Sequence, residues 1–142
     1  MTSIWPGVKE EQDPKAIARD VADFIQRGVR AIKIQAHRQD PKGDIMVAET
    51  IREIVGGRER LEVMVDSTRA GNHSQRAYPR PLRPWSHQTA LWMAREYERL
   101  DFTWLEEPLP FWDLDGLAEL TAKAELPITG GEGEQGLHRF GI

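Results

Sequence analysis

The chain has 142 residues, 39% of them hydrophobic and 30% charged, a composition that fits one globular unit and excludes a disordered tail. No apolar run is long enough to span a bilayer, and Met1–Glu10 lacks the apolar core of a secretory signal, so the expectation is a cytoplasmic protein with no membrane partner. Lys and Arg number 19 against 23 Asp and Glu, and the one basic run, Arg76, Arg80 and Arg83, is too short and too interrupted by proline for a nucleic-acid footprint.

Met1–Gln12 reads as an N-terminal lead-in, and residues 13–142 as one domain. Asp13 and Pro14 open a helix whose apolar residues Ile17, Val21, Phe24 and Ile25 recur at helical spacing, and Gly28 stops it. Val29–Gln35 follows as a strand. Side chains alternate across a strand, so Ile32 and Ile34 point one way while Lys33 and Gln35 point the other.

Asp44 is expected to start a second helix, with Val47, Ile51, Ile54 and Val55 on its inner face and Gly56-Gly57 as its stop. The strand Leu61–Asp66 comes next. From Ser67 to Trp85 the sequence carries Pro79, Pro81, Pro84 and several arginines without apolar periodicity, the signature of a long functional loop. Ser86 caps a third helix with Ala90, Met93, Ala94 and Tyr97 inward, leading to the strand Phe102–Glu106. A fourth helix, Leu114–Ala124, leads to a strand ending at Glu132.

Helix and strand therefore alternate four times, which predicts an α/β fold with parallel strands joined by crossover helices. Three strands end on an acid: Asp66, Glu106 and Glu132. Adjacent parallel strands would bring these carboxylates to one rim, a set of hard oxygen donors suited to Mg2+. Acids at successive strand ends favour a partial (β/α) barrel of about four units over an open doubly wound sheet, since a complete barrel needs about 250 residues.

Four segments carry a wider likeness: Gly28-Val-Arg-Ala-Ile-Lys-Ile-Gln35, Val63-Met-Val-Asp66, Trp104-Leu-Glu-Glu-Pro108 and Pro127-Ile-Thr-Gly-Gly-Glu132. In this order they resemble the enolase superfamily, in its mandelate racemase and muconate lactonizing branch, from about Asp13 onward. The resemblance implies a magnesium enzyme that removes the proton α to a carboxylate, and it places the three metal ligands on Asp66, Glu106 and Glu132. It makes Glu107, facing away from the ligands, a supporting group.

The same resemblance assigns Lys33 to the first lysine of a Lys-x-Lys pair, able to offset charge on a substrate carboxylate. Gln35 stands in place of the second lysine, the general base, and an amide cannot accept the proton. His37 shares the parity of Lys33 and is the candidate substitute base, a solvated strand-end histidine being the competing reading. Thr68 stands where the family often has Asn. Arginines in the 67–85 loop are either solvated, the favoured reading, or hold a polyhydroxylated acid, which leans toward a sugar-acid substrate to be dehydrated or racemised. Trp104 is expected to face inward with Glu106, and Trp85, Trp92 and Trp112 to pack between helices and sheet. The opposite-face base and the closing strands would lie past Ile142, and Met1–Gln12 is too short for the capping domain. A homo-oligomer, a complementing barrel half and an inactive metal-binding fragment are the alternatives this leaves.

Overall fold

In the computed structural model of the chain, residues 2–3, 13–67 and 84–132 are described. Strands β1 (Thr2–Ser3), β2 (Ala31–Gln35), β3 (Glu62–Asp66), β4 (Leu105–Glu106) and β5 (Ile128–Thr129) alternate with helices α1 (Pro14–Gln26), α2 (Pro41–Val55), α3 (His87–Arg99) and α4 (Leu114–Lys123). The sheet is parallel throughout and its spatial order is its chain order, β1-β2-β3-β4-β5. The lead-in thus contributes a strand, Thr2–Ser3, too short for sequence periodicity to register.

Sequential parallel order with right-handed crossovers places every helix on one face of the sheet. Neighbouring helices pack in series, α1 on α2, α2 on α3 and α3 on α4. Between them and the sheet lies the core, where Ile32, Ile34, Val63, Val65 and Leu105 from the strands meet Val21, Ile51, Met93 and Tyr97 from the helices. The opposite strand face carries Lys33, Met64, Asp66 and Glu106. This one-sided winding is the arrangement of a β/α barrel wall, with helices outside and functional groups inside.

Local sequence explains the boundaries. Asp13, Asp40, Ser86 and Asp113 are the N-caps, and each side chain accepts a hydrogen bond from a first-turn amide. Helix α2 starts three residues before the expected Asp44. Asp40 caps it and Pro41 supplies the preset first turn, while Asp44 is buried within that turn and accepts from the Arg38 amide at 3.2 Å. Gly56 ends α2 with φ 84°, a conformation that favours glycine.

Two further expectations are corrected. The last strand ends at Thr129, three residues before Glu132, because the turn at Gly130-Gly131 leaves the ladder. Trp112 is 58% exposed and lies edge-on to Phe111 instead of packing under the sheet, whereas Trp85 joins the core as expected. Thr68, Arg76, Arg80, Arg83 and the residues after Glu132 lie outside the described residues.

Candidate functional site

Strand register places Gln35, Asp66, Glu106 and Thr129 side by side in one row at the C-terminal ends of β2 to β5. Adjacent strands lie about 4.8 Å apart, so the Asp66 and Glu106 carboxylates are near neighbours with like charge. Lys33, one layer below, resolves that conflict. Its Nζ lies 2.7 Å from Glu106 Oε2 and 3.4 Å from Asp66 Oδ2. Burial alone would lower the Lys33 pKa, but the hydrogen bond to Glu106 and the charges of Asp66 and Glu106 outweigh it and hold the ammonium above its ordinary range.

Ser67 locks the row. It is fully buried, and both its amide and its hydroxyl donate to the Glu106 carbonyl, at 2.8 and 2.9 Å. The Ala36 amide likewise donates to the Asp66 carbonyl. The strand ends carrying the two acids are therefore tied to one another past the ladder.

Trp104, Glu106, Thr129, Gly130 and Glu132 wall an open hollow of about 370 Å³ at this rim. Trp104 thus faces inward with Glu106, as alternation predicts. Glu132 borders the same hollow from the turn after β5, and its side is exposed. Among the described residues no three Asp, Glu or His side chains are drawn close enough together to grip an ion. Asp66 and Glu106 form an adjacent pair, and Glu132 shares the hollow with Glu106.

The donor set fits a hard divalent cation. It consists of carboxylate oxygens, two on rigid strand ends and the third from the turn after β5, and a cationic Nζ already lies beside the first two. An ion would compete with Lys33 for that space.

Glu107 was expected to face away from the row, and it does, through a specific device. Its backbone is left-handed, φ 51°, and its side chain is 7% exposed. Oε1 accepts from the Gly131 amide at 2.5 Å and from the Glu132 amide at 3.3 Å. Burial pushes this carboxyl up, and the two backbone amides pull it partly back.

His37 sits past the end of β2, where strand alternation no longer dictates direction. Its Nδ1 is 3.1 Å from the Gln35 carbonyl, and it lines a narrow crevice with Ile17, Ile34, Gln35, Asp44 and Val47. The structure does not bring it to the hollow walled by Glu106 and Glu132.

A parallel sheet wound one way, with acids in register at its C-terminal rim, is the wall of a β/α barrel. Residues 16–141 match the sequence model of a family described as enolase C-terminal domain-like, and the chain belongs to that family. It is 28% identical over 116 residues to the L-talarate/galactarate dehydratase of Salmonella typhimurium, covering 82% of this chain and 25% of that protein. Among solved structures, a racemase from Streptomyces coelicolor A3(2) with bound magnesium superimposes with a TM-score of 0.75 at 26% identity, over 99% of this chain and 36% of that one. D-glucarate dehydratase from Agrobacterium tumefaciens, complexed with magnesium, gives 0.77 at 25% identity, over 98% of this chain and 34% of that one. The chain thus spans about a quarter to a third of the length of these relatives.

Proposed function

We propose that this chain forms the magnesium-holding wall of an enolase-type active site, in an enzyme that removes the proton α to the carboxylate of a sugar acid in the course of dehydration. One observation carries the reading: Asp66 and Glu106 stand in register at the strand-end rim with the Lys33 ammonium between them. Sugar-acid substrates are favoured because L-talarate/galactarate dehydratase and D-glucarate dehydratase are among the similar proteins.

Asp66, Glu106 and Glu132 would hold the Mg2+, which when bound neutralises charge developing on the substrate carboxylate, a Lewis-acid contribution of several kcal/mol. Lys33, released from its two carboxylates, would turn its ammonium to the substrate carboxylate and fix its orientation. Trp104 would keep water off one side of the hollow and strengthen these charge interactions.

Gln35 favours a second reading. It occupies the same row as Asp66 and Glu106, and an amide there takes no proton. On this reading the chain binds metal without turning over substrate by itself. Among the described residues β1 and β5 have one strand neighbour each, so a second copy or a complementing half could continue the sheet.

The test is proton exchange at the carbon next to the carboxylate. Galactarate and D-glucarate are incubated in D2O with the chain and Mg2+, and the C2 signal is followed by NMR. Loss of that signal with wild type but not with Glu106→Gln supports the enzyme reading. Saturable Mg2+ binding without exchange selects the second reading, and absence of Mg2+ binding contradicts both.

A further inference from the structure

We propose that Glu107 is a positioning residue whose carboxylate clips the turn after β5 and so sets where Glu132 stands relative to Asp66 and Glu106. The inference rests on the proposed metal site for its consequence, but the clip itself stands on geometry alone.

Four independent features converge on it. The Glu107 backbone adopts φ 51°, a left-handed conformation that costs a residue with a side chain about 1 kcal/mol or more and persists only where its surroundings impose it. That twist follows directly on Glu106 and sends consecutive acids in different directions. Glu107 is nearly as buried as the core, and Oε1 accepts from the amides of both Gly131 and Glu132. Its own amide donates to the Thr129 carbonyl at 2.9 Å, so main chain and side chain grip β5 and its turn together.

The two glycines complete the fit. Gly131 has φ 108°, and at Gly130 an added Cβ would lie 3.1 Å from Glu107 Oε1, closer than packing readily tolerates. Gly130 therefore keeps room for the carboxylate, and Gly131 supplies the turn that presents two successive amides to it. A carboxylate is a strong acceptor for such amides, and desolvation makes the contact costly to lose. Glu132 has no ladder partner of its own, since β5 ends at Thr129. The clip is the link that fixes its backbone to β4.

The experiment compares wild type with Glu107→Gln, Glu107→Leu and Gly130→Ala in the full chain. Two readouts are taken: amide hydrogen exchange at Gly131 and Glu132 without metal, and Mg2+ affinity by calorimetric titration. Glutamine keeps the Oε1 acceptor, so Glu107→Gln should retain protection and bind Mg2+ within about threefold of wild type. Glu107→Leu should lose protection at both amides and bind Mg2+ about tenfold or more weakly, the scale for groups that orient metal ligands. Gly130→Ala, which leaves every carboxylate in place but crowds Oε1, should move the same way by a smaller factor, and it keeps the test open if the leucine variant does not fold.

Unchanged exchange at both amides in Glu107→Leu and Gly130→Ala would overturn the clip. Lost protection with wild-type Mg2+ affinity would overturn its role in placing Glu132. If wild type binds no Mg2+, the metal-site reading fails and takes that role with it, while the exchange data still decide the clip.

Discussion

Lys33 Nζ and Glu106 Oε2 lie 2.7 Å apart across two strands, joining a base from β2 to an acid from β4 over the intervening Asp66 of β3. The contact is part-buried, with 23% of the lysine and 19% of the glutamate side chain exposed, so it is screened less than a surface pair. It places a protein cation where an ion would otherwise balance the rim.

Replacing that cation should expose the repulsion it masks. Lys33→Met removes the cation shared by the adjacent Asp66 and Glu106, and is expected to cost about 2 kcal/mol of stability in the absence of metal. Because the ammonium no longer competes for the site, Mg2+ should raise the melting midpoint of Lys33→Met more than that of wild type. Differential scanning calorimetry with and without Mg2+ checks both parts. An equal Mg2+ increment in the two proteins would show that Lys33 and the ion do not share a site.

Arg52 is the principal polar staple on the far side of the sheet. Its guanidinium donates to the carbonyls of Leu100 at 2.7 Å, Asp101 at 2.6 Å, Leu61 at 3.0 Å and Gly56 at 3.3 Å, and its Cζ lies 5.3 Å from the centre of the Phe102 ring. It ties the α2–β3 turn to the α3–β4 turn, which feed the two acid-bearing strands. Arg52→Lys keeps the charge but not the planar fork, so it should lose about 2 kcal/mol in urea denaturation. A change within about 0.5 kcal/mol, the usual surface range, would show that the fork is dispensable.

The legibility of the site varied with how local its causes are. Asp66 and Glu106 were readable because alternation and strand-end position alone decide where they point, and the observed register aligns them. Glu132 was read as a third strand-end acid, yet the strand stops at Thr129 and a glycine turn carries the acid beyond the ladder. The Glu107 contacts were hidden, since alternation predicts only that it faces away and says nothing of a backbone at φ 51°. His37 lies past the end of β2, where strand parity no longer dictates direction. Helix α2 began early since Asp40-Pro41 is a stronger start signal than the buried Asp44. The two-residue β1 offers no periodicity to detect, whereas the order of the remaining helices and strands followed from apolar spacing and caps.

Asp113 gives a pH signature away from the rim. It caps α4 by accepting from the Gly116 amide at 3.0 Å, and His87 Nε2 lies 2.6 Å from its other oxygen. The contact with His87, and then the Gly116 amide, hold the carboxyl below its ordinary range. A folded-state pKa below the unfolded one stabilises the protein above the unfolded value, and that contribution disappears as pH falls through the depressed folded value. Wild type should therefore melt above Asp113→Asn at pH 7, with the gap closing in acid solution, below the ordinary aspartate range. A gap independent of pH would assign the difference to capping geometry instead of charge.

The most direct test of the metal rim is a Mg2+ titration of the melting midpoint for wild type, Asp66→Asn, Glu106→Gln and Glu132→Gln. Wild type should show a saturable rise that is lost or strongly weakened in each of the three variants. No rise for wild type, or a rise that survives in all three, would contradict the assignment of these carboxylates to one magnesium site.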